Sequence, residues 1–191
     1  MLRNKIFCGL DLSVKRRSSI AKIIVEDNFI NIKIYRLHTL SEIIDVIQEC
    51  DILSIDAPFN LSNGYREVER EMIRKGLRIF PPNFIKDLVI KNIEILERLR
   101  QRNFAGIIIE THPRSSERLS MIRTLLDNIF RDNLSRDDRD AIICAITSLA
   151  YELGEYIVFR AEDGEIYLLY GELDKIKDLF SKKPINLLRA G

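Results

Sequence analysis

Three stretches of this chain carry an acidic residue where an apolar run ends. In residues 6–13 (IFCGLDLS) the run ends at Asp11, in ILSIDAP it ends at Asp56, and in GIIIETHP it ends at Glu110. A buried strand that ends on a carboxylate is unfavourable unless a cation or hydrogen-bond donors meet that carboxylate. We therefore expect these acids to converge on one divalent-metal site, which constrains how the chain can fold.

A fourth acidic stretch, RDDRDA, opens a predicted helix. Asp137 and Asp140 are three residues apart and share a helix face. Ile143 lies on the same line and points into the core, so we expect Asp140 at the boundary of the core and Asp137 nearer the rim. Acids in a first helical turn also favour the helix macrodipole, which accounts for Asp137 and Asp138 without a site but explains Asp140 less well.

The metal hypothesis depends on Asp11 and Asp56 lying side by side. Neighbouring parallel strands are about 4.8 Å apart, so carboxylates at their ends repel each other unless one is protonated or a cation lies between them. Mg²⁺ and Mn²⁺ prefer such oxygen ligands. The alternative is that each aspartate caps the turn after its strand. The only histidines are His38 and His112, which argues against a histidine-built zinc site, and we interpret His112 as structural rather than as a base.

Length, charge and composition limit the classes of protein to which this chain can belong. A chain of 191 residues suits a single domain, 1–191, with a full core. The net charge is only +1, so binding to nucleic acid would have to depend on a local basic patch. No apolar run is long enough to span a bilayer and no leader peptide is evident, so we expect no membrane partner and a cytoplasmic location. The abundance of Ile, Lys, Arg and Glu hints at a thermophile.

Cysteine spacing gives no sign of a metal site. Cys8, Cys50 and Cys144 are far apart and odd in number, with no CxxC pair. We interpret all three as small buried thiols in a reducing compartment.

Basic residues follow the acids along the chain. Because arginine is a good bidentate partner for phosphate, we expect some of them to contact a phosphate, above all Arg66 and Arg17. The alternative is a solvated, ion-paired helix face, for which Glu67, Glu69 and Glu71 are available. The candidates for substrate binding are Lys15, Arg17, Arg66, Arg70, Arg78 and Arg114.

Hydrophobic periodicity predicts an alternation of strands and helices. The first three strands form an antiparallel meander, and a right-handed crossover then leads to a parallel fourth strand. The predicted strands are 5–11, 19–26, 29–37, 51–56 and 106–110, with a late hairpin at 156–160 and 165–169. The predicted helices are 41–49, 66–75, 83–102, 114–130, 135–153 and 173–181.

These motifs together resemble a family of predicted RNase H-fold nucleases, similar to Holliday-junction resolvases and catalogued as a domain of unknown function. The resemblance is carried by GLDLS…SSIA, SIDAP, GYREVEREMIRKGLRIFPP, IETHPR and a helix containing DA, and it weakly includes EDGEI. No GxGxxG, Walker or GxSxG motif is present.

The resemblance implies an α/β fold of the RNase H-like type. Its five-stranded mixed sheet would have three antiparallel and two parallel strands flanked by helices. A helical insertion at 61–104 would separate the fourth and fifth strands, and 155–191 would add a hairpin and a helix.

The resemblance also implies a two-metal phosphodiesterase with acids at Asp11, Asp56 and Asp140. The family often has a histidine three residues before the helix aspartate, where this chain has Asp137. The resolvase pattern allows two acids at that spacing, which favours Asp137 as a ligand. Glu110 would be a fourth acid, either a metal ligand or a base that orients water.

We therefore expect a Mg²⁺- or Mn²⁺-dependent nuclease acting on DNA or RNA, and a homodimer is left open. One alternative is a non-catalytic binding module with the same fold. The other is an actin-like or sugar-kinase-like nucleotide-binding protein, which would need two such domains.

Overall fold

A computed structural model describes residue 2 and residues 4–130 and 134–190. Its centre is one mixed sheet of eight strands in the order β6-β7-β5-β4-β1-β2-β3-β8. The strands are β1 (Ile6–Asp11), β2 (Ser18–Val25), β3 (Ile30–Leu37), β4 (Ile52–Ile55), β5 (Ile107–Thr111), β6 (Tyr156–Ala161), β7 (Gly164–Leu169) and β8 (Ile185–Ala190).

Helices flank both faces of this sheet. They are α1 (Leu40–Ile47), α2 (Glu67–Arg74), α3 (Lys86–Gln101), α4 (Pro113–Leu119), α5 (Ile122–Phe130), α6 (Arg136–Leu153) and α7 (Asp174–Lys182), and a short 3-10 turn, Pro82–Ile85, precedes α3. Among these described helices, none combines the length and the apolar character that crossing a bilayer requires.

The predicted α/β class, with a mixed sheet between helices, is confirmed. β1, β2 and β3 form the antiparallel meander, and β4 and β5 run parallel to β1. The predicted number of five strands is wrong. The β6–β7 hairpin joins the sheet because β7 pairs with β5, and β8 adds a further strand beside β3. β8 had no clear sequence signal because it is a short edge strand with only one half-buried side.

One predicted helix is divided in two. The segment 114–130 forms α4 and α5, which are separated at Ser120, where the chain makes an isolated bridge to Gly171. This contact between the end of α4 and the loop after β7 interrupts the helical hydrogen bonds.

Two apolar cores lie on the two faces of the sheet. Because side chains alternate along a strand, Phe7 of β1 packs with α5, α6 and α7, whereas Cys8 and Leu10 pack with α1 and α3. A third cluster joins α2 to the β6–β7 hairpin through Val68 and Phe159.

The cysteines differ from the expectation of three free thiols. Cys8 and Cys50 form a disulfide that links β1 to the segment between α1 and β4, and only Cys144 is free and buried. Sequence separation does not reveal such a pair, since it is the parallel pairing of β1 with β4 that brings these residues together.

Gly9 sets the distance between α6 and β1. A Cβ at this position would lie 2.1 Å from the Ala145 nitrogen and 2.2 Å from the Ala141 oxygen, so the helix backbone rests directly on the strand. Only glycine permits this approach. The contact fixes where the first turns of α6 lie relative to Asp11, two residues further along β1.

We predict that Gly9→Ala lowers the free energy of unfolding by about 3 kcal/mol or more, because the helix must move away from the sheet. The measurement is urea unfolding followed by circular dichroism. Gly154→Ala is the control: its Cβ would meet open space, and its cost of about 1 kcal/mol comes only from the positive φ. Equal losses in the two variants would contradict the close packing described for Gly9.

Candidate acidic site

Asp11 and Asp56 lie at the ends of adjacent parallel strands. Asp11 is the last residue of β1 and Asp56 directly follows β4. The Asp56 N–H donates to the Leu10 carbonyl oxygen at 2.9 Å, which continues the ladder between the two strands. Leu10 and Ile55 pack on the α1–α3 face. By alternation, the two aspartates fall on the α6 face.

Asp140 reaches the same edge of the sheet from α6. The helix begins at a Ser135 cap, whose hydroxyl accepts the Asp138 N–H at 3.2 Å. Ala141, the residue after Asp140, is in contact with Gly9. The N-terminal part of α6 therefore brings a third carboxylate toward Asp11.

The three aspartates influence one another electrostatically. Burial, followed by the charges of Asp140 and Asp137, raises the pKa of Asp11 to about 7. Burial and then the charge of Glu117, a neighbour on α4, raise the pKa of Asp140 to about 6. The pKa of Asp56 lies well above its ordinary value because of burial and then the charges of Asp11 and Asp140. The site therefore concentrates carboxylates whose charges the nearby arginines, such as Arg16 and Arg136, offset only in part.

The donor set has the chemistry that a hard divalent cation prefers, since all of its members are carboxylates. In the described part of the chain, however, no three His, Cys, Asp or Glu side chains are grouped closely enough to hold an ion. The carboxylates would have to turn inward around an ion. Such an ion would relieve the repulsion that raises their pKa values.

Basic side chains lie at the rim of the site. Asp137 Oδ2 is 3.1 Å from Arg16 Nη1, and Asp140 Oδ2 is 3.9 Å from Arg136 Nε. These arginines are mostly exposed. Asp137 thus lies outside the three inner acids, as its position on the helix predicts.

Asp138 belongs to a separate structural pair. Its carboxylate is fully buried and accepts hydrogen bonds from Arg36 and from Ser19. Burial would raise the pKa of Asp138, but the hydrogen bonds from Arg36 and Ser135 and the charge of Arg36 hold it below its ordinary value. The bridge ties the start of α6 to β2 and β3.

Glu110 does not share the face of the three aspartates, although its charge adds to the raised pKa of Asp56. It is the register partner of Ile55 and therefore projects toward the face opposite Asp56. Its carboxylate accepts the Phe59 N–H at 2.9 Å and is paired with the Arg66 guanidinium, one of whose nitrogens lies 2.9 Å from Oε2. These partners occupy both carboxylate oxygens, which counts against Glu110 as a ligand or base.

Arg66 is accordingly not presented to a phosphate. The side chain is 2% exposed and also pairs with Glu69, whose carboxylate is 2.9 Å away. The Nη1 that lies 2.9 Å from Glu110 Oε2 also donates to the Asn60 oxygen at 2.9 Å. The predicted phosphate contact of Arg66 is thus replaced by an internal network with Glu110, Glu69 and Asn60. The charged residues at α2 pair inside the protein as well as along its surface.

The other predicted basic residues are exposed. Arg17 donates to His38 at 2.9 Å, and Arg70 pairs with Glu67. Lys15 lies in the turn directly after β1, which leaves it next to the acidic edge. The remaining exposed candidates are Arg78 and Arg114.

His112 has a structural environment. Its Nδ1 lies 2.7 Å from the Ser115 hydroxyl at the start of α4, and burial lowers its pKa to about 4. A neutral imidazole in this position favours the structural interpretation made from the sequence.

Helix α3 contributes two residues that sequence reasoning missed. Lys91 Nζ donates to the Ser13 carbonyl oxygen at 2.6 Å, in the turn after Asp11. Asn92 is fully buried and donates to the Pro58 carbonyl oxygen at 3.0 Å, in the loop after Asp56, while its own Oδ1 has no partner among the described residues. Neither residue lies in a motif. The only sequence feature that could have indicated them is the polar pair itself, on a helix whose buried side is otherwise apolar.

Comparisons with known proteins find no matching family model, curated protein or solved structure.

We predict that Arg66→Ala lowers the free energy of unfolding by about 3–5 kcal/mol, because it leaves Glu110 and Glu69 buried without their cation. The measurement is chemical denaturation at neutral pH. Arg74→Ala is a matched control from the same region, since Arg74 pairs with Glu67 and Glu71 at the surface and its loss should change little. Similar effects of the two substitutions would contradict the internal role of Arg66.

We predict that ionisation of the acidic site destabilises the metal-free protein as the pH rises from about 4 to about 8, whereas buried His112, with its pKa lowered to about 4, acts in the opposite direction in the lower part of this window. The folded-state pKa values of Asp11 and Asp140, about 7 and about 6, exceed the ordinary aspartate value, so the folded state holds more protons in this window. Asp11→Asn should raise the free energy of unfolding at pH 8 by at least about 1 kcal/mol and flatten this dependence.

This pH dependence is measured by urea unfolding in EDTA at pH 5 and pH 8. The surface variant Asp45→Asn is the control, since Asp45 is exposed on α1, on the opposite face of the sheet from the three aspartates, and pairs with Arg102. If Asp11→Asn destabilises the protein at pH 8, the proposed charge repulsion is absent.

Proposed function

We propose that the chain is a divalent-metal-dependent nuclease that hydrolyses phosphodiester bonds of DNA or RNA. The observation that carries this proposal is the placement of three acids at one edge of the sheet. Asp11 and Asp56 end adjacent parallel strands, and Asp140 approaches them from the helix that rests on Gly9.

The central strands support an RNase H-like core for this nuclease. Their order β3-β2-β1-β4-β5, with three antiparallel strands followed by two parallel ones, is the arrangement implied by the resemblance in GLDLS, SIDAP and the DA helix. Acids on the first strand, the fourth strand and the last core helix are also what that resemblance implies.

Asp11, Asp56 and Asp140 would hold Mg²⁺ or Mn²⁺, with Asp137 joining them after leaving Arg16. Bound ions of this kind supply an activated water and stabilise the leaving oxygen of the phosphodiester. Lys15 and Arg17 follow Asp11 in an exposed turn and would position a phosphate of the substrate. Lys91 holds that turn through its contact with Ser13.

A non-catalytic binding module is the second candidate. It is favoured by one observation, that no three metal-ligating side chains of the described residues are already grouped. In that case the same basic turn would bind nucleic acid and the acids would not assemble around an ion.

We predict that Mn²⁺ raises the thermal midpoint of the wild-type protein and supports cleavage of branched, single-stranded or hybrid oligonucleotides. Asp11→Asn should remove the thermal shift and reduce cleavage at least about 100-fold, because the central ligand is lost. Cleavage is followed by gel electrophoresis of end-labelled substrates, and stability is followed by scanning calorimetry.

The control is Asp45→Asn, which keeps the acidic site and should match the wild type in both measurements. Equal cleavage by Asp11→Asn and the wild type would exclude the catalytic assignment. A thermal midpoint that Mn²⁺ leaves unchanged, without cleavage of any substrate, would favour the binding module.

A further inference from the structure

Two phenylalanines lie exposed on the segment that leads into α3. Phe80 is 63% exposed and Phe84 is 74% exposed, in the segment RIFPPNF between α2 and α3. We call Phe80 and Phe84 together the aromatic platform. Aromatic side chains dominate core and interface energetics when they are buried, so two neighbouring exposed rings indicate a surface that meets a ligand.

The backbone holds the aromatic platform in place. Pro81 and Pro82 lie between the two rings and are both buried. The Phe84 N–H donates to the Pro81 carbonyl oxygen at 3.0 Å within the 3-10 turn, which continues directly into α3. Proline fixes φ, so the two rings are presented from a constrained backbone and lose little conformational freedom when a ligand binds.

Helix α3 joins the aromatic platform to the acidic site. Lys91 contacts the turn after Asp11 through Ser13, and Asn92 contacts the loop after Asp56 through Pro58. Phe84 precedes Lys91 by seven residues, which is about 10 Å along a helix. This is the span of one or two nucleotides of an extended strand.

The charge around the aromatic platform is mainly basic. Lys75, Arg78 and Lys86 are exposed, and no ion pair of theirs is found among the described residues. Asp87 is the one acid among their immediate neighbours on the segment. Exposed rings between cations are the combination that single-stranded nucleic acids bind, because bases stack on the rings while the backbone phosphates meet the charges.

We propose that Phe80 and Phe84 stack on unpaired bases of a single-stranded nucleic acid whose backbone continues into the acidic site. The inference rests on the proposed function and narrows its substrate to strands with unpaired bases. In a continuous duplex the base faces are covered by neighbouring pairs, so the platform distinguishes single strands from duplexes without reading sequence.

The test uses the absence of tryptophan from the chain. Phe84→Trp introduces a single tryptophan, which can be excited apart from the six tyrosines and which a stacked base quenches. The variant is titrated in EDTA with 12-nucleotide oligo(dT), oligo(rU) and a closed hairpin duplex of DNA. We expect saturable quenching by at least one single strand and at least about fivefold weaker binding of the duplex. The two single strands distinguish DNA from RNA.

Leu188→Trp is the matched control. Leu188 is 46% exposed on β8, and β2 and β3 separate that strand from β1. Its tryptophan should keep its fluorescence in the same titrations. Equal quenching at both positions, or none at position 84, would overturn the stacking inference.

A second measurement separates stacking from general apolar contact. Phe80→Leu and Phe84→Leu keep apolar side chains but lose the π face, and Phe84→Tyr keeps it. In anisotropy titrations of a labelled single strand in EDTA, each leucine variant should bind at least about fivefold more weakly, and the tyrosine variant within about twofold of the wild type. Leucine variants that bind as tightly as the wild type would overturn the stacking inference.

These measurements separate the two proposals because they need no cleavage. Quenching in Phe84→Trp together with weaker binding by the leucine variants, but without any Mn²⁺-dependent cleavage, would contradict the proposed nuclease activity. The stacking inference would still hold. Cleavage that the leucine substitutions leave unchanged, together with no quenching in Phe84→Trp, would support the nuclease activity and overturn the stacking inference.

Discussion

The burial of Asp11, Asp56 and Asp140 at one edge of the sheet, where like charges add to the cost of ionisation, is the constraint on which the acidic site depends. Parallel pairing of β1 with β4 sets the first two side by side, and the Gly9 contact brings α6 close enough to add the third. Each of these features is a packing arrangement that the core maintains. Holding these like charges together therefore lowers the free energy of unfolding, and a bound cation would raise it again.

The protein treats its other buried acids differently. Glu110 has Arg66 and a backbone N–H, and Asp138 has Arg36, Ser19 and the helix cap. These acids are neutralised within the structure, as buried charges must be. The contrast separates structural carboxylates from those at the edge of the sheet, whose rim carries mostly exposed arginines.

The elements outside the central five strands support the surroundings of this edge. Asp163, in the turn between β6 and β7, accepts the Val68 N–H at 3.1 Å near the start of α2. The hairpin that extends the sheet thereby orients the helix that carries Arg66. On the other face, α3 connects the loops after both strand-end aspartates to the exposed phenylalanines. Lys91 and Asn92 make these contacts with the loops after the two strands, and the exposed phenylalanines precede them along the chain.

The sequence alone determined the strand-end aspartates, the meander, the parallel crossover and the capped helix of Asp140, because these follow from local periodicity and capping. Tertiary structure alone decided the role of Glu110, since a change of one residue in register turns a side chain to the other face of a sheet. It also decided the burial of Arg66, the Cys8–Cys50 disulfide and the contacts of Lys91 and Asn92. All of these join residues that are distant along the chain, and no local pattern encodes such pairs.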